Sequence, residues 1–268
     1  MTDYRKLFDL TGKTAVVLGA ASGIGKSSAE ALASLGAAVM CADRSEEGAQ
    51  ATAAAIRQRG GSAEAAACDA ADAAAVAALA ERTMRKFPRL DIAVTTPGLN
   101  IRKTILDYSE DDLDRVINLN IKGTVFFFQA FGRIMVGQKG GSMIACSSVR
   151  AVTIEPGLAV YGSTKAAIGL LVQGFASEIG HHGVRVNAVA PSIIETALTA
   201  PFKQRPDIYN LYAAHTVFNR WGSSDEVATA VAYLASDAAS YVSGSTLFVD
   251  GGWTAIDGPP TGLTQLSR

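Results

Sequence analysis

Short apolar runs alternate along the chain with longer stretches in which apolar residues recur at helical spacing. The runs predict strands over residues 14–18, 37–42, 62–67, 90–95, 142–146, 184–189 and 245–249. The stretches between them predict helices over residues 23–35, 46–59, 71–87, 110–136, 158–179 and 225–236. Runs without polar alternation are typical of strands that are covered on both faces. The pattern therefore predicts an α/β fold, a doubly wound parallel sheet of about seven strands with helices on both faces.

No linker or change of composition divides the chain, which predicts a single domain over residues 1–268. One segment breaks the alternation, because residues 191–222 follow neither period and contain Pro191, Pro201 and Pro206. An irregular connection of that length in a compact domain is usually functional. We expect it to form a lid over a substrate.

Composition narrows the partners that this chain can have. Hydrophobic residues make up 49% and charged residues 18%, which excludes a disordered chain. The formal net charge of -1 favours neither a nucleic acid nor a membrane surface. Three separated cysteines without a C-x-x-C pair predict buried thiols in a reducing compartment, not a metal site or a disulfide. With no signal-peptide pattern at the N-terminus, we expect a cytoplasmic protein.

A glycine-rich segment, residues 19–25 (GAASGIG), joins the first predicted strand to the first helix. Glycines there allow a close approach of the backbone, and the helix N-terminus favours an anion, so the segment predicts a phosphate-binding turn. A glycine turn that only packs is the alternative. The following Lys26-Ser27 resembles the end of a P-loop, but Ala20 stands where that motif needs a glycine. We therefore expect Lys26 to be a solvated helix residue.

Asp43 follows the second predicted strand. A carboxylate at this position accepts hydrogen bonds from the ribose hydroxyls of an adenosine and repels a 2′-phosphate. An ordinary loop or helix-capping Asp is the alternative, and the neighbouring Arg44 could accept that phosphate. On balance the sequence favours NAD as cofactor, with NADP as the alternative.

Two polar residues fall on the apolar stripe of the helix predicted over 158–179. Tyr161 and Lys165 lie one turn apart and seven residues before Ile168 and Val172 of that stripe. A core-facing ammonium is costly unless it has a partner or a function. A nearby cation stabilises a phenolate, which suits a general acid/base acting on an alcohol or carbonyl. A Lys that extends to solvent beside a core Tyr is the alternative.

Asn120 lies on the apolar face of the helix predicted over 110–136, whereas Asn118 aligns with the charged face. Asn is a poor helix former and needs hydrogen-bond partners when buried. Asn120 is therefore either a structural hydrogen-bonding residue or part of a site.

Taken together, these residues resemble the short-chain dehydrogenase/reductase family, over nearly the whole chain, and the family has the Rossmann fold. The glycine spacing, the Asn120-Ile-Lys-Gly segment, Ser148 placed 13 residues before Tyr161, and Tyr161-Gly-Ser-Thr-Lys165 all fit the family's motifs. The resemblance implies Asn120, Ser148, Tyr161 and Lys165 as catalytic residues. It implies a cofactor site of Gly19, Ser22, Gly23, Ile24, Gly25, Asp43, Arg44, Asp69, Gly98, Tyr161, Lys165, Pro191, Ile194 and Thr196.

The resemblance also implies a mechanism. Tyr161 would exchange a proton with the substrate oxygen while a hydride moves to or from the nicotinamide, and Ser148 would hydrogen-bond that oxygen. Lys165 would lower the Tyr161 pKa and bind the nicotinamide ribose, and Asn120 would hold a water that links Lys165 to solvent. One departure affects the cofactor side, since Thr95-Thr96-Pro97-Gly98 stands where the family usually has Asn-Asn-Ala-Gly.

The substrate is expected to be a small alcohol or ketone. Arg150 follows the catalytic Ser closely, and Arg102 lies in a segment that resembles sugar- and sugar-acid-type members of the family. Either arginine could pair with a substrate carboxylate, or be a solvated surface charge. The lid aromatics Phe202, Tyr209, Tyr212 and Phe218 would instead suit a bulkier apolar alcohol.

Three further expectations concern other functions and self-association. Reduction of carrier-bound acyl chains is an alternative with little support from the charge, and a non-catalytic dinucleotide sensor is disfavoured because the catalytic set is intact. The resemblance implies a homotetramer or homodimer. The predicted helices over 110–136 and 158–179 would form one contact, with Gly162, Gly169 and Gly174 allowing close approach.

Overall fold

The computed structural model describes residues 2–196 and 199–256, except for the side chains of residues 201 and 202. Parts of the predicted domain and lid, residues 1, 197–198 and 257–268, therefore lie outside the described residues, as does the Phe202 side chain.

Seven of the nine strands in the described residues form the central parallel sheet, and the other two form a separate pair. The strands in chain order are β1 (Thr14–Leu18), β2 (Ala38–Asp43), β3 (Ser62–Ala67), β4 (Ile92–Thr95), β5 (Gly141–Cys146), β6 (Val184–Pro191), β7 (Ile194–Glu195), β8 (Gly222–Ser223) and β9 (Thr246–Val249). The sheet order is β3-β2-β1-β4-β5-β6-β9, and β7 pairs separately with β8. In the central register Leu18 lies between Ala42 and Thr95. The strand order reverses at β1, where open α/β sheets bind their ligands.

Helices cover both faces of the sheet. They are α1 (Gly23–Ser34), α2 (Glu46–Gln58), α3 (Ala73–Lys86), α4 (Glu110–Ile117), α5 (Gly123–Gln138), α6 (Ala159–Ile179), α7 (Ala200–Lys203), α8 (Pro206–Ala213) and α9 (Ser224–Ala235). Alternate residues of β1 belong to two separate cores: Val16 packs with residues of α3, α5 and α6, and Val17 with residues of α1, α2 and α9. This burial on both sides explains the uninterrupted apolar runs, and it confirms the predicted fold class.

The helix predicted over 110–136 is not uniform. A π-helical segment over Asn118–Lys122 separates α4 from α5. Asn120, within it, is fully buried, while Asn118 is half-buried, so the predicted difference between the two asparagines is confirmed. The prediction of one regular helix was wrong, because the apolar pattern continues across the π segment without a break.

The segment 191–222 is more ordered than predicted, because it contains β7, α7, α8 and β8. Pro206 occupies the first turn of α8, where its missing N–H costs no hydrogen bond. The indole of Trp221 stacks on Tyr209 with 5.0 Å between ring centroids, and its Nε1 donates to the Tyr209 carbonyl at 3.1 Å. These elements were missed because each is too short to show a period.

The described helices, within residues 2–196 and 199–256, include none with the length and apolarity needed to cross a membrane.

Candidate active site

The residues singled out in the sequence come together at one edge of the sheet, where β1, β2, β4, β5 and β6 end. Parallel strands bring their carboxyl ends to the same edge, and the crevice there is the usual ligand site of open α/β sheets. The glycine turn follows β1, Asp43 ends β2, and Pro191 ends β6. Two groups of side chains lie at this edge, one around Lys165 and one around Glu155.

The glycine turn that opens α1 is tightly packed. Gly19 has a φ of 95°, and a Cβ there would lie 2.2 Å from Thr96 Oγ1. A Cβ on Gly25 would lie 2.0 Å from the Gly19 carbonyl oxygen. Gly23, with a φ of 53°, faces Thr196, whose Cγ2 would be 3.2 Å from an added Cβ. No side chain larger than hydrogen fits at Gly19 or Gly25, so the backbone itself is presented at the helix N-terminus.

This turn suits a dinucleotide. Ser22 precedes α1 and is exposed, and its side chain makes no capping hydrogen bond. The first amides of α1 can therefore bind the oxygens of a diphosphate. Ile24 is half-buried, and Lys26 is exposed, with its ammonium 4.0 Å from Glu30 on the same helix. The predicted solvated position of Lys26 is confirmed.

Asp43 is held at the end of β2 by two backbone amides. Its Oδ2 accepts from Ala21 N of the glycine turn at 3.1 Å, and its Oδ1 accepts from Ser45 N at 2.9 Å. Arg44 is exposed. Asp69, after β3, is also exposed and accepts a hydrogen bond from Ala71 N at 2.9 Å. Asp43 is thus fixed beside the turn, as a carboxylate that receives adenosine ribose hydroxyls needs to be.

Lys165 forms the centre of the first group. The residue is only 3% exposed, which confirms that it faces inward, and its Nζ donates to the Cys146 carbonyl at 2.8 Å. Nζ lies 5.7 Å from the ring centroid of Tyr161, which is half-buried. A Cβ on Gly98 would lie 3.2 Å from Nζ. An ammonium has three N–H donors, and Cys146 supplies the one acceptor found for it among the described residues.

The two serines after β5 are used differently. Ser147 Oγ donates to the Lys165 carbonyl at 2.8 Å and so ties the strand end to α6. Ser148 Oγ accepts from Arg150 N at 3.1 Å, and its hydroxyl proton has no acceptor among the described residues. Of the two, Ser148 retains a donor for a substrate oxygen.

Asn120 fastens the loop after β4 to α6. Its Oδ1 accepts from Leu99 N at 2.8 Å, and its Nδ2 donates to the Leu99 carbonyl at 3.0 Å and to Thr164 Oγ1 at 2.9 Å. Thr164 Oγ1 in turn donates to the Tyr161 carbonyl at 2.7 Å. Both N–H donors of the Asn120 side chain are therefore used within the protein, and its Oδ1 has taken one of the two hydrogen bonds that it can accept. We call Gly98, Asn120, Ser147, Ser148, Tyr161 and Lys165 the Lys165 centre.

Glu155 forms the second group, on the loop that runs from Ser148 to α6. Its Oε1 accepts from Arg102 Nη1 at 2.5 Å and from the Tyr212 hydroxyl at 2.7 Å, and its Oε2 accepts from Arg150 Nη2 at 2.7 Å. Burial alone would raise the pKa of Glu155. The hydrogen bonds from Arg102 and Tyr212 and the charge of Arg150 outweigh burial and lower this pKa below its usual value. Glu155 is therefore ionised at neutral pH.

Trp253 completes this group from the segment after β9. The guanidinium carbon of Arg150 lies 5.1 Å from the ring centroid of Trp253. The His215 ring stacks on Trp253 with 4.7 Å between the ring centroids. The Arg150 side chain is only 13% exposed, which contradicts the alternative of a solvated surface charge. Arg102 is 50% exposed. We call Arg102, Arg150, Glu155, Tyr212 and Trp253 the Glu155 cluster.

The sequence missed Thr164 and Glu155. Thr164 had a readable signal, because it lies three residues after Tyr161 and four before Ile168 on the inward stripe. Glu155 had none, since its partners are 53 and 57 residues away in the chain for Arg102 and Tyr212. Within the described part of the chain, no group of three His, Cys, Asp or Glu side chains is placed to hold a metal ion.

The chain is similar to known proteins over most of its length. The family model described as "Enoyl-(Acyl carrier protein) reductase" matches residues 19–254. The chain is 37% identical over 261 residues to "Short chain dehydrogenase/reductase astE" of Aspergillus oryzae, covering 96% of this chain and all of the relative. It is 36% identical over 255 residues to "Galactitol 2-dehydrogenase" of Rhizobium johnstonii, covering 94% and 98% of the two chains.

One similar solved structure is described as a gluconate 5-dehydrogenase from Burkholderia cenocepacia in complex with NADP and tartrate. It superposes with a TM-score of 0.89 at 33% identity and covers 93% of this chain and 98% of that one. The similarity thus extends over the sheet, both helical layers and the sheet edge that carries the site.

Proposed function

We propose that this chain, which belongs to the short-chain dehydrogenase/reductase family, oxidises a secondary alcohol of a polyhydroxy compound such as a sugar or polyol, or reduces the corresponding ketone. Membership makes it an NAD(P)-dependent oxidoreductase that acts on CH–OH groups. Support for a polar substrate comes from the galactitol and gluconate dehydrogenases that it resembles.

The single observation that carries the proposal is the buried ammonium of Lys165. Its one described acceptor, the Cys146 carbonyl, leaves donors of the ammonium for ligand hydroxyls. The nearby Gly98 leaves space where a side chain would contact Nζ. A purely structural lysine would be expected to have its donors satisfied by protein.

The residues of the Lys165 centre then take the following roles. Tyr161 exchanges a proton with the substrate oxygen, and Ser148 donates a hydrogen bond to that oxygen. Lys165 stabilises the phenolate of Tyr161 and binds the nicotinamide ribose, while Asn120 holds a water on the path between Lys165 and solvent. When bound, the nicotinamide supplies or accepts the hydride.

The remaining candidate residues hold the cofactor. The turn residues Gly19, Ser22, Gly23, Ile24 and Gly25 bind the diphosphate, and Asp69 contacts the adenine. Gly98, Pro191, Ile194 and Thr196 line the nicotinamide side. Gly23 faces Thr196, whose Cγ2 would lie 3.2 Å from a Cβ added at Gly23, and this supports a site in which the diphosphate turn adjoins the nicotinamide side.

NAD is the proposed cofactor, because the fixed Asp43 carboxylate favours ribose hydroxyls and repels a 2′-phosphate. NADP in the Burkholderia structure and the exposed Arg44 make NADP the alternative. Steady-state kinetics with each cofactor decide between them. A higher kcat/KM with NADP than with NAD would refute the choice of NAD. In that case Asp43→Ser should change the kcat/KM with either cofactor little.

The substrate class is tested with a panel of alcohols and ketones, run in both directions with both cofactors. We expect reduced cofactor to form with polyols or sugars, and Tyr161→Phe to abolish it. If only thioester-linked acyl substrates react, the second candidate function holds, which is reduction of carrier-bound acyl chains. That candidate is favoured by the description of the matching family model.

Self-association is proposed as a homotetramer or homodimer through α5 and α6. The exposed Leu170 and the open face at Gly174 on α6 support it. Gly162 does not serve this contact, because it is buried and faces the Arg150 carbonyl of its own chain. A stable monomer in size-exclusion chromatography would refute the proposal.

Three free buried cysteines support a reducing, cytoplasmic location.

A further inference from the structure

The Glu155 cluster lies beside the Lys165 centre. Glu155 stands between Ser148 and Tyr161 in the chain, and Arg150 is two residues from Ser148. Tyr212 brings the lid helix α8 into the same contact, and Trp253 brings in the segment after β9. Arg150 N also donates to Ser148 Oγ at 3.1 Å, so the cluster joins the Lys165 centre directly.

Both arginines of the cluster already have an anionic partner. Arg102 and Arg150 each donate to a different oxygen of Glu155. The guanidinium of Arg150 also lies over the indole of Trp253. Nη2 of Arg102 donates to the Tyr212 hydroxyl at 3.3 Å. Arg102 is also half-exposed, so water screens it.

A substrate carboxylate would have to compete with Glu155 for these guanidiniums. Two guanidiniums and one carboxylate give the cluster a net charge of +1, but entry beside Glu155 places a second carboxylate next to the first, and displacing Glu155 leaves a partly buried carboxylate without its hydrogen bonds. A neutral hydroxyl compound meets neither cost. Rejection by a built-in like charge is a common basis of specificity.

We propose that Glu155 is a specificity-determining residue, whose carboxylate fills the place between Arg102 and Arg150 that a substrate carboxylate would otherwise take, so that the enzyme selects neutral polyhydroxy alcohols over sugar acids. The inference rests on the proposed function, because it names which polyhydroxy compounds that site accepts.

The test is Glu155→Gln, which keeps the size of the side chain and removes its charge. Values of kcat/KM are measured for galactitol, a neutral substrate, and for gluconate, an acid. The parent should favour galactitol, and in the variant the ratio of gluconate to galactitol should rise by about tenfold or more, because two guanidiniums then lack an anion.

A binding measurement makes the test independent of turnover. Gluconate is titrated calorimetrically into each protein in the presence of NAD, and we expect about tenfold tighter binding to E155Q than to the parent. Glu64→Gln is the matched control, since it removes an ion-paired carboxylate on β3, at the far edge of the sheet. The gluconate-to-galactitol ratio of this control should stay near that of the parent.

Three outcomes would overturn the inference: a parent that prefers gluconate, an unchanged ratio in E155Q, or unchanged gluconate binding. If E155Q does not fold, Glu155→Asp draws the carboxylate away from the guanidiniums and should shift the ratio in the same direction by less. A parent that is inactive with every polyhydroxy compound counts against the proposed function, while the calorimetry still decides the role of Glu155.

Discussion

The Lys165 centre and the Glu155 cluster lie at the same edge of the sheet but are built from different parts of the chain. The first uses residues on or directly beside regular elements, and Asn120 and Lys165 are 0% and 3% exposed. The second is assembled from three loops and the short helix α8, and Arg102 remains 50% exposed.

This difference suggests a division of work. Reacting groups need positions fixed to a fraction of an ångström, which helices and strand ends provide, whereas loops carry most of the variation that sets specificity. We therefore expect substitutions in the Lys165 centre to cost rate or fold, and substitutions in the Glu155 cluster to change which substrate is chosen.

Tyr161→Phe tests the chemical role of the Lys165 centre. We expect kcat to fall by about 10²- to 10⁴-fold, the usual contribution of a general acid/base. The thermal midpoint should hardly change, because the Tyr161 hydroxyl makes no hydrogen bond to the described residues and the ring is kept. Formation of NADH and NAD binding are measured together. Activity within tenfold of the parent would remove Tyr161 from the mechanism.

Asn120→Ala tests the structural role of the same centre. The variant loses three hydrogen bonds, to both polar groups of Leu99 and to Thr164, so we expect the free energy of unfolding to fall by about 2–4 kcal/mol. Denaturant unfolding measures it. Asn118→Ala is the control in the same π segment and should cost less than about 0.5 kcal/mol. Equal losses would mean that the Asn120 contacts contribute nothing.

The pH dependence of stability tests the Glu155 cluster. The pKa of Glu155 is lowered in the folded protein, so its stabilisation is complete above the unfolded pKa, near about 4.3. It is lost as the pH falls further through the folded value. The thermal midpoint of the parent should therefore exceed that of E155Q by about 1–3 °C at pH 6, and the gap should close toward pH 3. A gap that widens on acidification contradicts this assignment.

Thiol labelling tests the rigidity beneath the Lys165 centre. Burial raises the pKa of Cys41 and Cys68 to about 12, and it also raises the pKa of Cys146, whose carbonyl binds Lys165. At pH 8 all three are thiols, which are poor nucleophiles. Mass spectrometry should find no label on the native protein after minutes and three labels in denaturant. Rapid labelling of Cys146 alone would show that the centre opens.

Much of the fold could be predicted because the strands are buried on both faces. The prediction for β1 matches Thr14–Leu18 residue for residue, and the other sheet strands differ by at most two residues at either end. The π segment could not be predicted, because Val116 before it and Phe128 after it continue one apolar face. The elements within residues 191–222 have at most 8 residues each, too few to show a repeating apolar pattern.

The site divides in the same way. Tyr161 and Lys165 are four residues apart on one helix, so local spacing predicts their common face. Glu155 and Arg102 meet only because two loops are brought together by the sheet order, and single-sequence spacing contains no trace of that contact. The sequence proposed both arginines as substrate ligands, but it could not indicate that an internal carboxylate holds them.

The chain has two tryptophans, one within residues 191–222 and one in the Glu155 cluster. Trp221 is stacked on Tyr209 of α8, and Trp253 packs against both Arg150 and His215. Intrinsic fluorescence excited in the indole band therefore comes from the lid and the Glu155 cluster alone. The protein thus carries its own optical reporter of the Glu155 cluster, without any introduced dye.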